Sequence, residues 1–244
     1  SLPRARTSVP IRIRSLHELD HDTRIRQDAG AGKIVAVTVD PKCAAVLALH
    51  WQVNVIKPEG FFGSVLSEPV ARSGVVQRAA RFHESVRAAG VPVIFTRFTV
   101  PVGEGGLVRN TVFMKAVGDA QEAFRPDAVG SQLIAEMSAG ADRVVDNQKL
   151  SGFAGNDLSQ WLAGRGIDTV FVTGVATNLT IEQTARHGTD LGLTVHPVRD
   201  CIAAATDAVH CASLANLDLT TAGCLTAEHA LTLLRRPSSD VVAS

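Results

Sequence analysis

The sequence predicts an α/β fold: a three-layer α/β/α sandwich around a mostly parallel central sheet. Three observations lead there. Short apolar, β-branched runs alternate with amphipathic stretches from Lys33 onward. Glycines follow the ends of several of those stretches. No apolar run approaches the roughly 20 residues that a membrane span requires. Strands separated by helices pair in parallel through crossovers, which place helices on both faces of one sheet. A chain of 244 residues can bury a full core as one domain.

Taken in order, residues 1–33 are rich in arginine and alternate apolar with basic in Ile11-Arg12-Ile13-Arg14 and Thr23-Arg24-Ile25-Arg26. They read either as a disordered leader ending in Ala29-Gly30-Ala31-Gly32, or as an extended arm exchanged between subunits. Strands are expected at 34–39, 44–49, 92–96, 143–145, 169–173 and 193–198. Helices are expected at 75–89, 129–137, 157–162, 179–187, 208–217 and 227–235, with Gly90, Gly140, Gly164 and Gly192 closing helix ends. Residues 101–127 carry Gly, Val and Phe without a period and read as a long loop, a lid or an interface. The α/β domain is therefore 34–236, and 237–244 is a frayed tail.

Lysine plus arginine number 24, as do aspartate plus glutamate, so nothing electrostatic favours nucleic acid or an anionic membrane as a partner. The four cysteines (Cys43, Cys201, Cys211, Cys224) form no Cys-x-x-Cys and have no histidine at ligand spacing. Buried, reduced thiols are expected, with no metal and no cofactor. The basic N-terminal segment is not followed by an apolar signal-peptide core, and a cytoplasmic protein is expected.

One stretch organises the rest: residues 166–186. It opens as a strand at 169–173, turns on Gly174, and re-enters helical spacing with Asn178 as the cap and Thr180 in the first turn. A strand, turn and helix start present backbone N–H groups and a positive dipole end, a cradle for an oxyanion with Thr180 at its mouth. In parallel sheets, ligands sit outside the carboxyl ends of the strands. His50, Asn147 and the 174–180 loop all follow predicted strand ends.

The string GIDTVFVTGVATNLTIEQTAR resembles the nucleophile loop, G-V-A-T-N-x-C-V-x-x-T-A-R, of the isochorismatase-like cysteine hydrolases. These include N-carbamoylsarcosine amidohydrolases, nicotinamidases, biuret hydrolases and isochorismatases. The resemblance puts Thr180 where the family has its nucleophilic cysteine. Ala44-Ala45-Val46-Leu47-Ala48-Leu49-His50-Trp51-Gln52 resembles A-L-L-V-I-D-M-Q, with His50 at the aspartate. Ser151-Gly152-Phe153 resembles the end of K-x-x-x-S-A-F, with Asn147 at the lysine and Lys149 as a displaced candidate for that amine. The likeness runs over about 34–232 and implies the isochorismatase-like hydrolase fold, a small-molecule ligand, and a homo-oligomer, dimer or tetramer.

A threonine hydroxyl needs an adjacent base to act as a nucleophile, and His50 is the candidate for it. Asn147 would orient His50 or donate to an oxyanion. Singly, each residue also reads as structural: Thr180 as a backbone partner, His50 as a semi-buried neighbour of Trp51, Asn147 as a turn residue. Together, three polar replacements favour a remade site, because a decayed one fills with apolar side chains. Trp51, Gln52, Phe153, Val175, Ala176 and Thr177 are the expected ligand contacts, with Phe61, Phe62 and Phe113 as further walls. Phe98 falls where several relatives carry histidine, which weighs against a metal. His187 reads as a surface or interface residue and Arg97 as an ion-pair partner. Two functions follow: an enzyme acting on a small amide, imide, ester or enol ether, or a non-catalytic binder of a ligand or partner protein.

Overall fold

The computed structural model describes residues 38–234 apart from position 139. The expected N-terminal arm, residues 34–37 of the first expected strand, and the tail lie outside that range. Residues 38–40 are not a strand. A 3-10 turn, Pro41–Cys43, leads into β1 (Ala44–Leu49). The other strands are β2 (Val93–Phe98), β3 (Arg143–Asn147), β4 (Thr169–Val175) and β5 (Thr194–Ala203). All pair in parallel, in the order β3-β2-β1-β4-β5. The chain starts at the centre, builds to one edge, then returns and builds to the other. The crevice at that reversal, past the ends of β1 and β4, is where such sheets bind ligands.

The helices are α1 (Val53–Ile56), α2 (Gly63–Ser73), α3 (Val75–Ala88), α4 (Val112–Asp119), α5 (Ala135–Ser138), α6 (Leu158–Ala163), α7 (Glu182–Asp190), α8 (Asp207–Thr220) and α9 (Ala227–Leu234). They form layers on both faces of the sheet. Because β1 and β4 are buried on both faces, every residue of each is inside, which explains the unbroken apolar run of β1 and the mostly apolar one of β4. Val46, Ala48, Phe95 and Phe171 point to one face and pack on Phe82 and Val86 of α3. Leu47, Leu49, Val170 and Val172 point to the other and pack on Leu158, Leu162 and Ala185. A third cluster, with Phe98, Val117 and Phe124, sits under the 101–127 segment. Gly174 (φ 136°) lets β4 pass β1: a Cβ there would lie 2.1 Å from the Leu49 carbonyl oxygen.

Several expectations need correction. The 101–127 segment is not all loop, since it contains α4, capped by Thr111 Oγ1 accepting from the Met114 N–H at 3.1 Å. Helix α2 was hidden by its internal Pro69. The helix expected at 129–137 is broken into a 3-10 turn (Val129–Ser131), a bridge from Leu133 to Gln52, and α5. Gly130 abuts Asn54 so closely that a Cβ would lie 2.3 Å from Asn54 Oδ1. Asn178 caps nothing: it is exposed inside a π-turn, Thr177–Ile181, that precedes α7. In β1 the alternation of faces breaks at His50, whose backbone is left-handed (φ 55°). Trp51 consequently joins the face of the even-numbered residues Val46 and Ala48.

Candidate functional site

His50 leaves the tip of β1 and its N–H donates to the Thr96 carbonyl at 3.1 Å. A non-glycine residue in the left-handed region costs about 1–2 kcal/mol, and such positions concentrate at functional sites. The tip of β4 leads through the cis peptide Val175–Ala176 into the π-turn that carries Thr180. Between these two tips lies a cavity of about 50 Å³, lined by His50, Val175, Ala176 and Thr180 and walled by Phe62, Phe98, Phe113 and Phe124. The aromatic wall is ordered by its own packing. Phe62 stacks on Phe113 at 5.6 Å, and Phe98 meets both His50 (6.2 Å) and Phe124 (5.7 Å) edge-on.

Among the described residues, no side chain that carries charge at neutral pH lines this cavity. Two polar atoms do face burial there without a partner: His50 Nε2 and Thr180 Oγ1. They are therefore not hydrogen-bonded to each other. An unmet buried polar atom costs about 1–3 kcal/mol. Burial lowers the His50 pKa to about 4, and its imidazole is neutral at physiological pH.

The remaining expected site residues divide. Val175 and Ala176 line the cavity, whereas Asn147, Trp51, Gln52, Phe153 and Thr177 do not. Asn147 donates from Nδ2 to the Ser151 carbonyl at 2.8 Å, with its Oδ1 buried and unpartnered, and so shapes the turn that brings Leu150 to the cavity. Trp51 is wholly buried and donates from Nε1 to Thr173 Oγ1 at 3.4 Å. Gln52 ties β1 to the loops: its Nε2 donates to the Phe98 and Ser131 carbonyls, and its Oε1 accepts from the Phe98 N–H at 2.7 Å. Phe153 packs in the opposite core and edge-on against His187. Thr177 Oγ1 pairs with His210 Nδ1 at 2.9 Å.

His187 holds Ser151 Oγ at 2.8 Å, and Arg97 forks onto Asp146, so neither meets the cavity. The stem of Lys149 runs beside Gly106 and Gly155, outside the cavity lining. No cysteine lines the cavity either, and burial pushes the Cys201 thiol up to about 12. The sequence marked Phe62 and Phe113 as walls but missed Phe124, Val117, Leu66 and Leu150. The apolar side chains of the supposed loop were the available signal for Val117 and Phe124. Among the described residues, no group of three or more His, Cys, Asp or Glu gathers to hold a metal, and no helix is long and apolar enough to cross a membrane.

The family model of the isochorismatase domain matches residues 44–229, from the first residue of β1 into α9. The chain belongs to the isochorismatase family. It is 28% identical over 142 residues to the uncharacterised isochorismatase family protein YecD of Escherichia coli O157:H7, covering 58% of this chain and 73% of that protein. It is 26% identical over 165 residues to the ureidoacrylate amidohydrolase RutB of Methylobacterium radiotolerans, covering 62% and 64% respectively. The isochorismatase fold itself is matched by a cysteine hydrolase from Pseudomonas syringae pv. phaseolicola, with a TM-score of 0.71 at 24% identity, covering 80% of this chain and 94% of that one. An isochorismatase family protein from Desulfovibrio vulgaris has a TM-score of 0.68 at 19% identity, covering 80% and 99%.

Proposed function

We propose that this isochorismatase-family protein is a hydrolase, or a related acid/base lyase, acting on a small uncharged amide, imide, ester or enol ether through His50 and Thr180 rather than through a thiolate. The observation carrying this reading is the pair of buried, unpartnered polar atoms on the wall of one apolar cavity. A carbonyl and a water molecule lying there would meet both. For an amide, imide or ester, the neutral imidazole takes a proton from water as the water oxygen bonds the carbonyl carbon, while the Thr180 hydroxyl donates to the oxyanion that forms. The proton then passes to the leaving group. Thr180 has no base in hydrogen-bond contact, so water rather than the hydroxyl is the nucleophile in this reading. Asn147 acts as a positioning residue through the Leu150 turn. The amidohydrolase activity named for one relative supports the reaction class, and the uncharged wall supports a neutral substrate.

The test is a pH–rate profile on a panel of small amides, imides, esters and enol ethers. The acid limb is expected near pH 4, where His50 titrates, and it should vanish together with most activity in His50→Gln. Full activity in His50→Gln, or a limb near 6.5 with none at 4, rejects the mechanism.

A second reading, a non-catalytic family member that binds a small ligand or a partner protein, has one observation in its favour. A base with a pKa of about 4 and no carboxylate beside it is weak. It expects no turnover of any panel member and unchanged ligand binding in Thr180→Val. Either reading includes a homo-oligomer, consistent with exposed Val102, Val112 and Val129 in the 101–129 segment, and sedimentation at a monomer mass would remove it.

A further inference from the structure

An apolar cavity of about 150 Å³ takes up a benzene ring, whereas the strand-tip cavity holds only about 50 Å³. A ligand of more than a few atoms must therefore displace part of its wall. Phe98, Val117 and Phe124 are buried, and moving any of them would open the core. Among the described residues that line the cavity, Phe113 alone is exposed, at 36%. It touches the cavity on one side and solvent on the other.

Phe113 is the second residue of α4, and the helix itself is fixed. Met114 and Val117 are buried, Thr111 caps the start, and at the far end Arg109 donates to Asp119 Oδ1 and to the Gly118 carbonyl, both at 2.7 Å. A phenylalanine in a helix nevertheless has two open χ1 wells, so the ring can swing while the backbone stays. Its one ring contact among the described residues is Phe62, at 5.6 Å between centroids with the planes 12° apart. Phe62 is held more firmly. Phe61 meets it edge-on at 4.8 Å, Phe124 packs at 6.1 Å, and its N–H donates to the Asn54 carbonyl at 2.8 Å.

A swing of Phe113 thus leaves Phe62 in place and vacates a slot whose size and shape are those of one aromatic ring. The slot has an aromatic floor and, among the described residues, no charged side chain beside it. We propose that Phe113 gates the cavity and that the ligand is an uncharged monocyclic aryl amide or ester, whose ring replaces Phe113 on the face of Phe62. A carboxylate on that ring would be buried without a countercharge and is rejected. The proposal rests on the reading of this cavity as the ligand site, and not on the reaction proposed there.

The test is titration of the full chain with benzamide, following nuclear Overhauser contacts of the Phe62 and Phe113 rings. At saturation, contacts between benzamide and Phe62 are expected to replace those between Phe62 and Phe113. Acetamide, which has no ring, and sodium benzoate, which is charged, should each bind at least tenfold more weakly. Phe113→Ala removes the gate and should bind benzamide about three- to tenfold more tightly, since no stacked pair has to be broken. A Phe62–Phe113 contact that persists at saturation overturns the gate, as does equal or weaker binding in Phe113→Ala. No saturable binding up to about 20 mM benzamide, or equal binding of acetamide or benzoate, overturns the uncharged aryl class. Benzamide bound but not turned over supports this inference and counts against the reaction, so the two fail separately. Should Phe113→Ala fail to fold, the ring contacts of the unaltered chain decide.

Discussion

Two buried threonines on one strand and its following turn, Thr173 and Thr180, meet opposite fates. Thr173 Oγ1 is shared between Trp51 and His83 and binds the end of β4 to α3. Thr180 Oγ1 has no partner at all. The histidines differ less: His83 spends one ring nitrogen on that bridge, and each of His83 Nδ1 and His50 Nε2 is buried without a partner. The reading proposed above rests on the second of these two fates, a buried hydroxyl left without a partner beside a strand-tip cavity. Both threonines look alike in sequence, and only their neighbours separate structure from function.

Acid breaks the comparison on the largest scale, because it acts on both histidines. Burial lowers His50 to about 4, and burial aided by the Arg87 charge lowers His83 to about 3, against 6.5 for a free imidazole. As pH falls, the unfolded chain takes up these protons first. Stability is therefore full above about pH 6.5 and is lost as pH drops towards 4 and then 3, by about 3 kcal/mol for His50 and somewhat more for His83. Urea midpoints measured from pH 7.5 to 4 check this, and a flat curve would contradict the burial of both rings. His83→Asn should remove the larger share of the slope.

One substitution made at both threonines is sharper still. Thr173→Val strands the Trp51 indole and the His83 ring and is expected to cost about 2 kcal/mol. Thr180→Val removes an unmet hydroxyl and should stabilise the fold by about 1 kcal/mol. The same change should lower turnover at least tenfold. Denaturant melts that give both variants the same sign would erase the distinction between bridge and open site. Smallest is Lys149→Met, expected to shift stability by less than about 0.5 kcal/mol and to leave turnover intact, since that side chain lies outside the cavity. A large activity loss there would return the lysine to the mechanism.

Much of this arrangement was legible in the sequence. The apolar run of β1 and the β-branched run of β4 indicated buried parallel strands, and the rule that ligands sit past strand ends pointed to His50 and Thr180. Helix α2 was hidden because Pro69 interrupts its pattern, and α4 because Gly118 and Val112 blur a short one. Trp51 was expected at the ligand as an aromatic wall. Its burial in the core depends on a backbone turn that no periodicity encodes. Asn147 was placed correctly at a strand end, yet its amide N–H donates to the Ser151 carbonyl and the residue does not line the cavity, a choice made by the loop geometry. Gln52 likewise reads as a candidate contact until its three backbone partners are known.

The left-handed residue at the tip of β1 has one more consequence. Because the main chain there is bent by its own torsion and anchored through its amide to Thr96, the path into Trp51 does not rely on what the imidazole binds. Exchanging that side chain for asparagine or aspartate, which tolerate the same bend, changes the group lining the cavity without rerouting the backbone. Residue 50 is thus a position where the side chain can change while the surrounding main chain keeps its course.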